Sequence, residues 1–244
     1  MRAGRALPIA FLVGLALAAG AGLARVQAAA PRIVFDAEAQ VFPEVENGTK
    51  VPAEFVVRNA GTADLVLADV RATCDCTRAR AEPSVLPPGR SGKILVTLDT
   101  SYRPGDLDKE VVVASNDPAR PTVVLHLRGR VFQPLTFKPA PLFLDGLAPG
   151  REAVTDVTLT NTGKRPATIR DIRAPEWDVT IALTGKGDAK VTLPVTLVPG
   201  DYLWVRVALV PGKSEKGSLV RQVVVTADPA PLVPVVLKIL GSVR

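Results

Sequence analysis

The sequence has little of the chemistry on which most enzymes and metal sites depend. His126 is its only histidine, and Met1 is its only methionine. Because no Gly-x-Ser-x-Gly segment accompanies that histidine, nothing supports a Ser-His-Asp hydrolase. A structural zinc ion usually takes four Cys or His ligands, whereas Cys74 and Cys76 are the only cysteines. We therefore expect a protein that is not an enzyme and holds no metal or cofactor.

Dense basic segments are also missing. The chain carries 30 Lys and Arg against 24 Asp and Glu, but Arg2, Arg5 and Arg25 belong to the N-terminal segment described below. The remaining chain is only slightly basic, and no Lys/Arg cluster is interleaved with aromatic residues. Nucleic-acid binding is therefore not expected. After residue 30, no stretch is apolar enough to span a membrane.

Residues 1–30 have the layout of a secretory signal peptide. Arg2 and Arg5 precede an apolar run from Leu7 to Leu23, and the Val-Gln-Ala sequence ending at Ala28 suits a signal peptidase. Ala30 offers a second cleavage position. An uncleaved membrane anchor is the alternative, because the run is nearly long enough to span a bilayer. We predict cleavage, export to the periplasm or cell envelope, and no stable membrane span afterwards.

The rest of the chain shows the pattern of an all-β protein. From residue 51 to residue 58, apolar and polar side chains alternate, as in a half-buried strand. Similar sets recur at intervals of roughly eight to twelve residues with turn residues between them, which predicts a β-sandwich. Asn59-Ala60-Gly61 is one such turn, because Asn and Gly tolerate a positive φ.

The order of these motifs is repeated, which predicts two tandem sandwiches over residues 31–132 and 133–244. The second copy has nine additional residues between Ala174 and Pro199, around Thr184-Gly185-Lys186-Gly187-Asp188, interpreted as a lengthened loop or strand pair. The matched turns are Asn59-Ala60-Gly61 with Asn161-Thr162-Gly163, Pro88-Gly89 with Pro199-Gly200, and Asp117-Pro118 with Asp228-Pro229.

Cys74 and Cys76 align with Glu176 and Asp178 of the second copy, so the shared fold does not require the cysteines. Two thiols in an oxidising compartment tend to pair. On an extended strand, however, their Cα atoms would lie near the upper limit of about 6.8 Å for a disulfide, so a bend at Asp75 would be needed.

Three uses of the cysteines follow: a local disulfide, thiol exchange with a partner, and binding of a soft metal such as Cu(I). The flanking residues Arg71, Asp75, Thr77 and Arg78 are candidates to modify the pair. The arginines would favour thiolates, whereas Asp75 would oppose them.

Other polar and aromatic residues have ordinary structural explanations. His126 alternates with Leu125 and Leu127, which predicts an exposed position on a sheet. Asn47 begins a glycosylation sequence that matters only in a eukaryotic host. Four aromatic residues could form a ligand-binding face, although such residues more often belong to the core or rim of a sandwich; they are Tyr102, Trp177, Tyr202 and Trp204.

Four motifs in the first copy occur in a recognisable order: Asn59-x-Gly61, Thr73-Cys74-Asp75-Cys76-Thr77, Leu86-Pro87-Pro88-Gly89 and Ser115-Asn116-Asp117-Pro118. They resemble, over about residues 40–130, the bacterial family catalogued as domain of unknown function 1573. That family has Ser-Cys-Gly-Cys-Thr at the cysteines, so Thr73 and Asp75 depart from its pattern. The resemblance implies an immunoglobulin-like sandwich, akin to Hydin-type and major-sperm-protein-type domains, in envelope or secreted proteins. It brings no established reaction.

The sequence thus predicts a non-enzymatic binding or structural module of the cell envelope, with a partner protein of unknown identity. The alternative is a periplasmic thiol-redox or Cu(I)-handling protein that acts through Cys74 and Cys76. A chaperone that donates a strand is a third possibility, which rests on analogy of fold alone.

Overall fold

A computed structural model describes residues 28–185 and 189–244, which form nineteen β-strands and no helix. Most of the predicted signal peptide lies outside these residues. The strands build two immunoglobulin-like sandwiches in series, which confirms the predicted all-β fold. No helix in the described part of the chain is both long enough and apolar enough to cross a membrane.

The first sandwich packs a sheet of order β1-β4-β8-β6 against a sheet of order β2-β10-β9-β5-β7, in which β3 also pairs with β10. Only β2 and β3 run parallel to their neighbour β10. The strands are β1 Ile33–Phe35, β2 Ala39–Val41, β3 Val45–Glu46, β4 Lys50–Asn59, β5 Leu65–Ala72, β6 Thr77–Glu82, β7 Val85–Leu86, β8 Ser91–Asp99, β9 Gly105–Ser115 and β10 Thr122–Phe132.

The second sandwich repeats this arrangement with sheets of order β11-β13-β17-β15 and β12-β19-β18-β14-β16. Here β12 takes the place of β2 and runs parallel to β19. The strands are β11 Leu135–Lys138, β12 Leu142–Leu147, β13 Ala153–Asn161, β14 Ala167–Arg173, β15 Val179–Thr184, β16 Val195–Leu197, β17 Tyr202–Leu209, β18 Gly217–Asp228 and β19 Val235–Val243.

Period-two alternation explains where each core lies. On β4, Val51, Phe55 and Val57 are buried while the residues between them are more exposed. They pack against apolar residues of the facing sheet, such as Val113 and Leu125, in one continuous cluster. The second sandwich has its own cluster, built in the same way. Each sandwich therefore has its own hydrophobic core.

The Asn-x-Gly turns form for a different physical reason from the one predicted. Neither Gly61 nor Gly163 has a positive φ. Instead, Asn59 is completely buried, and its Nδ2 donates to the carbonyls of Ala63 at 2.7 Å and Leu86 at 2.8 Å. Asn161 makes the equivalent bonds in the second copy. The asparagine therefore satisfies backbone groups that the turn leaves without strand partners.

The strand register shows that the predicted equivalence of the two Asp-Pro turns is wrong by one residue. Ser115 lies opposite Leu67, and the corresponding pair in the second copy is Ala227 opposite Ile169. Asp228 therefore corresponds to Asn116, and the two Asp-Pro turns are offset by one residue. The predicted lengthening of the second copy is present beyond β15, where Thr184 forms a bridge with Lys190. Residues 186–188 of this insertion lie outside the described residues.

The two sandwiches contact each other beside the Gln133-Pro134 joint. The backbone nitrogen of Leu232 donates to Glu46 Oε1 at 3.1 Å. Lys164 pairs with Glu44 of the first sandwich, and its Nζ lies 5.6 Å from the centroid of the Phe132 ring. These contacts join polar rims rather than the two cores.

Candidate functional site

The cysteines lie in a tight turn between β5 and β6. The backbone nitrogen of Thr77 donates to the carbonyl of Cys74 at 3.3 Å, which places Asp75 at the tip. The Cα atoms of Cys74 and Cys76 are 5.3 Å apart, within the range that a disulfide requires. Their sulfur atoms lie at bonding distance, 2.09 Å. The bend predicted at Asp75 is thus what brings the two side chains together.

The sulfur atoms face the interior of the sandwich. Cys76 is only 8% exposed and belongs to the core cluster, against which the partly buried Cys74 packs. The buried Thr77 places its hydroxyl oxygen 3.3 Å from Cys74 Sγ and 3.6 Å from Cys76 Sγ. The carbonyl of Cys76 accepts from the backbone nitrogen of Asp99 at 2.8 Å, which ties the turn to β8.

The charged flanking candidates point away from the sulfur atoms. The Asp75 side chain is 96% exposed, and its Oδ1 accepts from Arg103 Nη2 at 3.3 Å. Arg71 lies beside Asp69, with Nε 3.6 Å from Oδ2. Arg78 is exposed on the outer face, because it alternates with the buried Thr77. Of the four flanking candidates, Thr77 is the one whose side chain lies within hydrogen-bonding distance of the sulfur atoms.

The second sandwich builds the same turn without sulfur. The backbone nitrogen of Val179 donates to the carbonyl of Glu176 at 3.3 Å, and Val210 donates to the carbonyl of Asp178 at 2.9 Å. These are the counterparts of the Thr77–Cys74 and Asp99–Cys76 bonds. The backbone of the turn is therefore common to both copies.

An ion pair replaces the cysteines in this second turn. The Asp178 side chain is completely buried and the Arg221 side chain is 17% exposed. Arg221 donates from Nε to Asp178 Oδ1 at 2.9 Å and from Nη2 to Asp178 Oδ2 at 2.7 Å, while Nη2 also reaches Glu215 Oε1 at 2.8 Å. The hydrogen bond to Asp178 is the largest factor that raises the pKa of Arg221. Such bidentate, charge-assisted bonds hold the turn on β18.

The tip of the second turn is an exposed tryptophan. Trp177 occupies the position of Asp75 and is 81% exposed, so it does not belong to the core. Tyr202 and Trp204 stack edge to face on β17, with ring centroids 6.0 Å apart. Tyr102 lies in the β8–β9 loop of the first sandwich, with a φ of 60°. The four aromatic residues do not form a single face.

His126 lies on the outer face of β10, as alternation predicted. Its Nδ1 lies 3.0 Å from Asp108 Oδ1, and Arg128 Nε donates to Asp108 Oδ2 at 2.9 Å. The hydrogen bond to His126 and the nearby Arg128 together hold the pKa of Asp108 below its usual value. Within the described residues, no group of three or more His, Cys, Asp or Glu side chains is placed to hold a metal ion.

The glycosylation sequence at Asn47 is not available in the folded protein. Asn47 is 3% exposed. Its Nδ2 donates to Gln133 Oε1, and its Oδ1 accepts from the backbone nitrogen of Arg103 at 3.4 Å. The side chain therefore belongs to the contact between the first sandwich and the joint.

The Asp178–Arg221–Glu215 network is the feature that sequence reasoning missed. The alignment of Asp178 with Cys76 was a usable signal, since a charged residue at a buried position needs a partner. Arg221 lies 43 residues further along the chain, and no local pattern connects the two. Only the packing of β18 against the turn identifies Arg221 as the partner of Asp178.

Comparisons with solved structures give distant likenesses. A protein of unknown function from Porphyromonas gingivalis W83 has 14% identity and a TM-score of 0.33, covering 86% of this chain and 99% of that one. A tandem pair of Ig domains of titin has 9% identity and a TM-score of 0.30, with coverages of 89% and 100%. The secreted serine protease VesC from Vibrio cholerae has 12% identity and a TM-score of 0.34 over 83% of this chain, which spans only 52% of VesC. These likenesses assign no function.

The first sandwich also matches a family model. No curated protein matches the sequence. The model described as Protein of unknown function (DUF1573) covers residues 33–131, from the start of β1 into β10. The resemblance that the Asn-x-Gly, Cys-x-Cys, Pro-Pro-Gly and Asn-Asp-Pro motifs predicted for this copy is thereby confirmed.

Proposed function

We propose that the protein is a non-enzymatic module of the cell envelope, in which two immunoglobulin-like sandwiches bind a partner protein. The observation that carries the proposal is the pair of equivalent turns. Cys74 and Cys76 brace one turn, and Asp178 with Arg221 braces the other. Because an ion pair serves the second copy at this position, a bracing role explains both turns, whereas a sulfur-specific reaction explains only one.

In this proposal, Cys74 and Cys76 form a structural disulfide in the mature protein. Export would bring the chain into an oxidising compartment, where such pairs form and persist. The burial of Cys76 against the core hinders attack by an external thiol. The cysteine pair then serves to fix the turn and the beginning of β6.

The braced turns and the strands that follow them are the proposed contact surfaces. Trp177 projects from its turn, and tryptophan is enriched among the residues that dominate binding energy at interfaces. The strands that follow the turns, β6 and β15, are both edge strands. Edge strands can accept an added strand from a partner.

The test is affinity capture from the native envelope, with four forms of the protein. We expect a partner that is retained by wild type and by the control Tyr102→Ala, a second exposed aromatic residue, and lost with Trp177→Ala. The Cys74→Ser/Cys76→Ser variant should still capture the partner wherever it remains folded. If Trp177→Ala captures the partner as well as wild type does, Trp177 is not a contact residue. A turnover activity abolished by a single substitution would refute the non-enzymatic assignment.

The competing function, thiol exchange or Cu(I) handling, has one observation in its favour. Cys74 is only partly buried and lies next to the exposed tip of its turn. This function predicts that mild reductant opens the pair and that the reduced protein binds Cu(I) stoichiometrically. Thiol titration after treatment with that mild reductant, in the folded and in the denatured protein, distinguishes the two, since the reductant reaches a purely structural pair only after unfolding.

A further inference from the structure

The residues before the first strand are part of the folded sandwich. The carbonyl of Ala30 accepts from the backbone nitrogens of Thr62 at 2.9 Å and Ala63 at 3.4 Å. The backbone nitrogen of Ala30 donates to Thr62 Oγ1 at 3.3 Å. These bonds tie Ala30 to the turn that follows β4, so Ala30 closes this end of the sandwich.

Gly61 shows how close this contact is. A Cβ atom at Gly61 would lie 2.3 Å from the carbonyl oxygen of Ala30 and 2.5 Å from the backbone nitrogen of Arg32. Only glycine allows the chain before β1 to lie so near the turn. Further along, Ile33 donates its backbone N–H to Asp117 Oδ2 at 2.8 Å, in a buried bond.

The second copy repeats the contact that Arg32 makes with this turn. In the first copy, Ala60 donates its backbone N–H to the carbonyl of Arg32 at 2.8 Å, and in the second copy Thr162 donates to the carbonyl of Pro134 at 2.9 Å. The segment before the first strand is thus a component of the repeated fold. In the second copy the residue that makes this contact, Pro134, belongs to the joint, and in the first copy it is Arg32.

We propose that the leader is removed by hydrolysis of the Ala28–Ala29 bond, so that the mature protein begins at Ala29 and keeps Ala30. This proposal rests on export, which is part of the proposed function. A signal peptidase of the exporting cell would catalyse the addition of water, which leaves a carboxylate on Ala28 and an α-amino group on Ala29. The boundary lies two residues before the end of the predicted leader, residue 30.

The second sequence position suited to cleavage, after Ala30, fits the structure poorly. Cleavage there would remove the acceptor for Thr62 and Ala63 and leave a charged amine at Pro31, beside the turn. The bond itself precedes a proline, which lacks an N–H and restricts the conformation of Ala30. Both arguments favour Ala28 as the last residue of the leader.

The test is expression of the full-length chain in a Gram-negative host, with intact mass and N-terminal sequencing of the periplasmic product. An N-terminus at Ala29 supports the proposal. An N-terminus at Pro31, or a product that keeps its leader, overturns it. An N-terminus at Pro31 would change only the cleavage site and leave the proposed function in place. A retained leader would also contradict the export on which that function rests.

Two variants sharpen this test, because Ala28 and Ala30 are not buried and their backbone contacts survive substitution. Ala30→Glu should be processed as wild type, since residue 30 lies beyond the proposed bond. Ala28→Glu should accumulate as precursor. If Ala30→Glu blocks processing, cleavage occurs after Ala30. A mature chain that starts at Pro31 should also melt a few degrees lower than one that starts at Ala29.

Discussion

The Asp178–Arg221 pair allows a sharp quantitative prediction. Removing one partner of a buried ion pair typically destabilises a protein by about 3–5 kcal/mol, because the other charge stays buried. Arg221→Met leaves the Asp178 carboxylate, whose side chain is completely buried, without its cation. We expect a loss of about 3–5 kcal/mol. Asp178→Asn leaves a guanidinium that is 17% exposed and still bonded to Glu215, so its cost should be lower, roughly 2–3 kcal/mol.

The measurement is denaturant unfolding of the full chain, combined with hydrogen exchange to locate the loss. Exchange should accelerate in β14, β15 and β18, while the strands of the first sandwich keep their protection. The double variant Asp178→Leu/Arg221→Met removes both charges and should be more stable than Arg221→Met alone.

A matched control is available on the same sandwich. Arg206 binds Asp156 in a bidentate pair of similar length, 2.9 and 3.0 Å, but the side chains are 57% and 39% exposed. Arg206→Met should therefore cost less than about 1 kcal/mol. The reasoning fails if Arg221→Met and Arg206→Met are equally destabilising, or if Asp178→Asn costs more than Arg221→Met.

Three further predictions concern the first sandwich. Cys74→Ser/Cys76→Ser should cost only roughly 1.5 kcal/mol by the chain-entropy relation for so small a ring, and a loss above 4 kcal/mol in thermal unfolding would show that packing dominates. Asn59→Ala leaves two buried backbone carbonyls without a hydrogen-bond donor and should cost roughly 2–4 kcal/mol in denaturant unfolding. A loss below about 1 kcal/mol would contradict this explanation of the role of Asn59. Burial opposes ionisation of Asp117, but backbone N–H groups such as that of Ile33 outweigh it and lower its pKa. Its contribution is therefore present above the unfolded pKa of about 3.9 and lost as pH falls through the folded value. Asp117→Asn should flatten the fall of Tm in acid, and an unchanged acid profile would refute this.

The sequence was informative where local patterns determine structure. Alternation along β4 identified its buried side chains, and the repeated Asn-x-Gly turns identified two copies of one fold. The bend at Asp75 followed from the spacing of the cysteines alone. In each case the residues that form the pattern lie within a few positions of one another, so the pattern can be recognised in the sequence.

Long-range features were not readable in the same way. The Asp-Pro repeat was offset by one residue, because the second copy has one more residue between Leu209 and Gly217 than the first copy has between the equivalent Leu98 and Gly105. Only strand pairing reveals this shift. Burial of Asp178 depends on Arg221, which reaches it from another strand. The exposure of Trp177 is likewise decided by the brace, which fixes the turn so that its tip projects into solvent.

The two turns show which residues stabilise the fold and which are free to contact a partner. The backbone bonds and the braces come from residues on either side of the tip, so the tip side chain is not needed to hold the turn. Asp75 contributes only an exposed pair with Arg103, which is worth little. Exchanging the tips, as Asp75→Trp with Trp177→Asp, should therefore change stability by no more than about 0.5 kcal/mol. If the tips are contact residues, the exchange should nevertheless abolish capture of the partner. A large fall in Tm would show instead that the tips stabilise the turns, and unchanged capture would place the contact surface elsewhere.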